Sequence, residues 1–364
     1  MRLLLFLLMA LPASAASQLV FIGTYTRTTS RGIYAVRLDD ATGALSAPVL
    51  AAETPNPSFL DFTTDKKILY AVSESNAMAA AFAADLELGT LRPLQAPQSS
   101  GGSAPCHLAV DPTQHVLLVA NYHTGMVAAI PLRPDGTLGA PNVIPHSGHG
   151  ADPVRQASPH VHSVTLSPDG RFVIVCDLGL DRIFTYRLDA TRAMLAPAGP
   201  PFVATEPGAG PRHFAFGADG RHAYAVTEMG STVIAYDYDP ATGALTPRQT
   251  LSTLPPDFKG GSSGAEIRVH PNGHFLYTSN RGHDSIAVFA VDASTGRLTS
   301  TGFTPCGGKT PRNFSLSPGG AWLLCANENS NSLTVFRVDA STGRLTPAGQ
   351  GAAVPLPVCV QFAP

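Results

Sequence analysis

The sequence predicts an all-β fold, a seven-bladed β-propeller. Three observations carry this expectation. A unit of about 50 residues recurs seven times along the chain. Each copy holds short apolar runs separated by turns rich in Gly, Pro and Asn, with no helical periodicity. The chain also ends on an apolar run without partners of its own, and its first unit lacks an opening run.

The repeat is clearest in SPDGRFVIVCDLGLDRIFTYRLDATRAML, GADGRHAYAVTEMGSTVIAYDYDPATGAL, HPNGHFLYTSNRGHDSIAVFAVDASTGRL and SPGGAWLLCANENSNSLTVFRVDASTGRL. The closing leucines are Leu45, Leu91, Leu138, Leu195, Leu245, Leu298 and Leu345, spaced 46, 47, 57, 50, 53 and 47 residues apart. That period suits a blade of four antiparallel strands. The innermost strand opens on a proline-led pattern: PSFLDF at 57, PCHLAV at 105, PRHFAF at 211 and PRNFSL at 311. A glycine turn such as PDGR leads to the second strand, for example FVIVCD. A polar loop leads to the third, for example IFTYRLD, and a TG turn leads to the outer fourth. The first unit begins directly with a second strand, and PVCVQFAP at 357–364 supplies the missing innermost one. Its pairing with residues 19–23 would close the ring and leave no open sheet edge.

Composition sets the remaining bounds. The chain has 364 residues, 14% charged and 44% hydrophobic, with a formal net charge of −2. No block of like charges points to a nucleic-acid or anionic-membrane partner. The opening MRLLLFLLMALPASAASQ has a basic start, a short apolar run and an Ala-Ser-Ala site, the pattern of a secretory signal peptide over residues 1–16. Residues 17–364 are then expected to form one domain, exported to the periplasm or beyond, monomeric, and free of the membrane once mature. The five cysteines are widely spaced, odd in number and without a C-x-x-C pair. They read as buried small hydrophobes rather than a disulfide framework.

The start of each innermost strand and the end of each second strand should meet at one mouth of the central channel. Second-strand ends bring Thr24, Glu74, Asn121, Asp177, Glu228, Asn280 and Asn327 there, with Arg281 and Glu328 one residue on. Innermost-strand starts bring His107, His160, His162, Arg212, His213, Glu266, Arg312 and Asn313. A concave, polar, convergent mouth is the default place for a site. Within it, His162, Arg212, Glu228 and Arg281 form the sharpest cluster. Arginine forks bind anionic oxygens, and Glu or His moves protons near neutral pH. Candidate substrate contacts are His107, His160, Asp177, His213, Asn280, His283 and Arg312. The plain alternative is that such side chains only satisfy loop backbone groups.

FIGTYT near 21, NPSFL at 56, SPHVHSVTLSPDGRFVIVCDLGLDRI at 158, GPRHFAF at 210, AVTEMGSTV at 225 and HPNGHFLYTSNRGHDSIAVF at 270 together resemble the seven-bladed propeller lactonases. That family includes cycloisomerase-type 6-phosphogluconolactonases and 3-carboxy-cis,cis-muconate lactonizing enzymes. The resemblance implies an active site of His162, Arg212, Glu228 and Arg281. His160 matches only the lactonase branch, to which the motifs are closer overall. A signal peptide departs from the cytoplasmic members.

The implied reaction is metal-independent and cofactor-free hydrolysis of a sugar lactone. Arg212 or Arg281 would polarise the carbonyl, and Glu228 and His162 would share the base and acid roles in an order left open. Two other readings compete. The oxygen ligands of the mouth could hold Ca²⁺, or the H-x-H pair Zn²⁺, in a metal-dependent lactonase. A non-catalytic propeller could instead bind a ligand or protein partner in the cell envelope. No P-loop, dinucleotide fingerprint or G-x-S-x-G elbow supports kinase, dehydrogenase or serine-hydrolase chemistry.

Overall fold

The structure, a computed structural model, describes residues 16–363. The leader expected over residues 1–16 therefore lies, but for Ala16, outside the described residues. Seven antiparallel sheets of four strands stand around a central channel, and two of them carry an additional short outer strand. The seven innermost strands run around the axis as Leu60–Phe62, Pro105–Val110, Val161–Leu166, Pro211–Phe216, Ser263–Val269, Pro311–Leu316 and Pro357–Phe362. Each contacts the innermost strand of the next blade, and Pro357–Phe362 contacts Leu60–Phe62 to complete the circle.

The first blade is built from both ends of the chain. Pro357–Phe362 pairs with Ser17–Thr24, Val20 opposite Phe362 and Gly23 opposite Cys359. Closure of this kind removes the unpaired edges that would otherwise flank the first and last blades. Apolar side chains on facing blade surfaces then form the core. Between the fourth and fifth blades, Phe172, Ile174 and Cys176 interleave with Phe214, Ala223, Ala225 and Tyr236, all buried.

The TG turn has a second task besides reversing the chain. Asp39, Asp239, Asp292 and Asp339 cap these turns by accepting backbone N–H bonds at Oδ1. The glycine that follows adopts a left-handed conformation and packs on the preceding blade. Gly243 (φ 79°) lies so close to Phe172 that an added Cβ would come within 2.6 Å of the ring. Gly343 stands in the same relation to Phe275, and its carbonyl accepts the hydroxyl of Tyr277 at 2.9 Å. Each outer turn thus latches one blade to its neighbour, which is why the motif recurs with the blade period. The five cysteines are buried and unpaired.

Deleting residues 355–364 should abolish the cooperative thermal unfolding transition, because it opens the ring and strips the innermost strand from the first blade. A truncated protein with an unchanged melting temperature would contradict this.

Candidate active site

Two local rules of the blade place side chains at the mouth. The first is alternation along the second strand. Its last residue in each blade is buried and turned into the blade: Thr24, Ser73, Asn121, Asp177, Thr227, Asn280 and Asn327. These residues tie down loops. Asn280 accepts from Thr253 Oγ1 (2.7 Å) and donates to the Thr253 carbonyl (2.6 Å); Asn121 does the same with Ser100. The next residue faces the mouth, and this position supplies Tyr25, Glu74, Tyr122, Glu228 and Arg281.

The second rule is a β-bulge at the start of the innermost strand. Val161 pairs with Asp177 and Ser163 with Cys176, so His162 is left without a partner. The same one-residue jump leaves out Cys106, Arg212, Arg312 and Val358. A bulge frees its extra residue from the ladder and re-aims the side chain. Four of the five residues so released carry a thiol, an imidazole or a guanidinium.

These two sets enclose a cavity of about 180 Å³ whose walls include Glu74, Cys106, Tyr122, His162, Glu228, Arg281 and Arg312. Glu228 is its electrostatic hub. Its Oε2 accepts from Arg212 Nε (3.0 Å) and lies 2.8 Å from Arg281 Nη2; its Oε1 accepts from Arg155 Nη2 (2.6 Å). Burial opposes the charge, but Arg281, Arg212 and Arg155 outweigh it and hold the carboxyl far below the usual carboxylate range. Arg212 also donates to the Ala265 carbonyl (2.6 Å) and Arg281 to that of Gly264 (3.0 Å). Burial and the neighbouring Arg281 and Arg312 lower Arg212 to about 10.

His162 Nε2 stands 3.9 Å from Glu228 Oε2, too far for a direct hydrogen bond. Burial, reinforced by Arg212, pushes His162 well below its ordinary value, so the ring is neutral at pH 7. Its Nδ1 edge rests 3.8 Å from Cys106 Sγ, and Tyr122 meets it edge to face. Arg312 lies over Tyr25, 5.3 Å from the ring centroid. Among the described residues it has no hydrogen-bond or ion-pair partner, and it faces the cavity.

Below this layer is a floor. His213 Nδ1 lies 3.2 Å from Glu266 Oε1, Asn313 donates to the other oxygen of Glu266, and His107 stacks on Phe59 at 3.9 Å. Burial lowers His213 to about 4 and His107 well below its usual range. Although burial opposes it, Arg268 and His213 bring Glu266 down to about 2.

The structure therefore brings His162, Arg212, Glu228, Arg281 and Arg312 together. It sets His107 and His213 one layer deeper, in the channel. Three expected substrate contacts lie elsewhere. Asp177 has one oxygen on His146 Nδ1 (2.6 Å) and the other on the His160 backbone N–H (2.8 Å). Asn280 is engaged with Thr253, which follows the outer strand of the preceding blade, and His283 pairs with Ser285 Oγ (2.6 Å) beside Phe258. His160 and His162 do not share a face, because the bulge at His162 breaks the alternation. His160 instead stacks on Tyr122 at 4.5 Å, and its Nδ1 lies 3.0 Å from the Tyr122 carbonyl. Sequence reasoning missed Arg155, Tyr122 and Tyr25. Arg155 lies in the longest spacing between repeat markers, 57 residues, and that excess length was its one visible signal.

The description "Lactonase, 7-bladed beta-propeller" belongs to a family model that matches residues 19–362. The chain belongs to that family. Among its relatives is the 6-phosphogluconolactonase of Bacillus subtilis, 39% identical over 81% of this chain and 83% of that one. A putative 6-phosphogluconolactonase from Bacteroides fragilis superposes with a TM-score of 0.90 at 36% identity, covering 96% of this chain and 99% of that one. The periplasmic gluconolactonase of Pseudomonas aeruginosa does so with a TM-score of 0.90 at 34% identity, covering 95% and 99%.

Three buried histidines should make this lactonase-family fold acid-sensitive. His107, His162 and His213 have folded values below their unfolded ones, so the unfolded chain binds protons that the native state excludes. Stability is complete above about pH 6.5 and should fall as pH drops toward 4, by up to about 4 kcal/mol per pH unit if all three contribute. Urea unfolding at pH 7 and pH 5 reads this directly; equal midpoints would contradict it.

Proposed function

We propose that the protein hydrolyses a sugar lactone without a metal or cofactor, with His162 as the proton carrier. The observation that carries this reading is a neutral imidazole sharing one cavity with the guanidinium of Arg312, which has no hydrogen-bond or ion-pair partner among the described residues. A lactone in the cavity would place its carbonyl oxygen on Arg312 and Arg281. There the guanidiniums stabilise the oxyanion that forms when water adds to the carbonyl carbon. His162 Nε2 takes the proton from that water. The resulting imidazolium is stabilised by the Glu228 carboxylate, which lies across a 3.9 Å gap. Collapse of the intermediate breaks the ring C–O bond, and His162 returns the proton to the departing hydroxyl oxygen.

Glu228 fits the base role poorly. Its oxygens are committed to three arginines, which leaves none of them free to take a proton from water. It acts instead as a fixed negative charge that orients Arg212 and Arg281. The metal-dependent alternative loses its donors in the same geometry. Asn121, Asp177 and Asn280 spend their side chains inside the blades, and no cluster of three or more His, Cys, Asp or Glu groups suits a metal ion among the described residues.

The names of the relatives, a 6-phosphogluconolactonase and a gluconolactonase, support a sugar-derived lactone as the substrate and a role in carbohydrate metabolism. The leader-like opening residues and the periplasmic neighbour support an exported enzyme.

His162→Ala should lower kcat/KM for glucono-δ-lactone by about 10²–10⁴-fold with the circular dichroism spectrum unchanged. The wild-type rate should be the same after exhaustive treatment with EDTA. A wild-type rate in His162→Ala would sink the proton-carrier role, and loss of activity on chelation would restore the metal-dependent reading.

A further inference from the structure

The catalytic cavity has a neighbour. A second chamber of about 310 Å³ opens on the same mouth, and Glu74 and His123 line both. Its other walls include Tyr25, Asn56, Ser75 and Ser103. The inner chamber, about 180 Å³, is smaller than the roughly 300–1,000 Å³ of pockets that enclose a whole ligand. Joined to the outer chamber, the cleft enters that range. The inner chamber therefore suits one lactone ring, and the outer one suits whatever that ring carries.

The chemistry of the outer walls narrows the occupant. The one guanidinium there, Arg27, is already paired with Glu328 Oε1 (2.9 Å) and rests over the Tyr25 ring at 4.2 Å. No other guanidinium and no ammonium group lines this chamber among the described residues. Glu74 sits at the junction, and among the described residues its carboxylate receives only the Tyr25 hydroxyl, at 3.1 and 3.2 Å. A phosphate or carboxylate placed here would meet the Glu74 carboxylate at the junction, and the one guanidinium lining the chamber, Arg27, is already offset by Glu328. A group rich in hydroxyls would find acceptors in Glu74 and Asn56 Oδ1 and two-way partners in Ser75 and Ser103. Asn56 is held in place, accepting from Thr26 N–H (2.8 Å) and donating to Ser75 Oγ (2.7 Å).

We propose that the outer chamber is a subsite for a second, neutral sugar, so that the preferred substrate is the lactone of a disaccharide aldonic acid. This rests on the lactonase reading above and departs from the phosphorylated substrate named for one relative. The guanidinium of Arg312, in the inner chamber, then serves the carbonyl rather than a phosphate tail.

The test compares kcat/KM for glucono-δ-lactone, 6-phosphogluconolactone, and the δ-lactones of cellobionic and maltobionic acids. At least one disaccharide lactone should exceed both monosaccharide lactones by about tenfold or more. Ser75→Trp, an exposed position whose new side chain would fill the outer chamber, should cut the ratio of disaccharide lactone to glucono-δ-lactone by about the same factor. A preference for 6-phosphogluconolactone, or a Ser75→Trp ratio equal to that of the wild type, would overturn the subsite. Calorimetry provides a readout without turnover: the preferred disaccharide aldonate should bind at least about tenfold more tightly than gluconate, and equal affinities would also overturn it. Failure to hydrolyse any lactone would overturn the lactonase reading instead, and the aldonate affinities would still decide the subsite.

Discussion

The site depends on a one-residue bulge repeated at the start of the innermost strands. A regular ladder would alternate side chains between the two faces of the blade, and neither face looks up out of the channel. The bulge lifts one residue out of that alternation next to the axis, where the blades converge. Cys106, His162, Arg212 and Arg312 owe their positions to it. The scaffold and the chemistry are thus separable. Cys106, His162 and Arg312 are presented from their bulges to the same small space, while the ladder on either side keeps the blade intact.

Crowding of like charge is the consequence. Arg281 and Arg312 line the cavity, with Arg212 and Arg155 behind them on Glu228, and after burial the repulsion of Arg281 and Arg312 adds to the lowered value of Arg212. Glu228 is the anion that makes the cluster tenable, since Arg155, Arg212 and Arg281 all bind it. Removing one partner of a buried ion pair leaves an uncompensated charge and is strongly destabilising. Arg312 has no hydrogen-bond or ion-pair partner among the described residues, although Glu328, Glu74 and Glu228 lie near enough to favour its charged form. The depression of His162 comes first from burial and then from the same field, and together they keep the ring neutral.

Much of this was legible in the chain. The blade count and the closing role of the last strand follow from periodicity, because every blade must solve the same packing problem. The D-x-x-T-G turn recurs because Gly43, Gly243, Gly296 and Gly343 all sit against a ring of the preceding blade. The cluster of His162, Arg212, Glu228 and Arg281 was also visible, since each lies within a residue or two of a strand end. What could not be read was the facing of adjacent residues. Asp177 and Asn280 fall one position short of the mouth-facing place that Glu228 and Arg281 occupy, and a single residue reverses the side of a strand. His160 and His162 stand two apart, and the bulge cancels the alternation that would put them on one face of a regular strand. Arg155 belongs to no repeat at all. It sits in an insertion held by Asp152, which caps the backbone of Val154 and Arg155 at 2.8 Å, and by the buried Gln156. Only the folded chain brings it to Glu228.

The central claim is that the reacting carbonyl lies between the unpartnered guanidinium of Arg312 and the neutral imidazole of His162. A crystal structure with a bound aldonate, the hydrolysis product, tests it most directly. The carboxylate should lie about 3 Å from both Arg312 and His162 Nε2. An aldonate whose carboxylate pairs with other groups, leaving Arg312 and His162 untouched, would contradict the account.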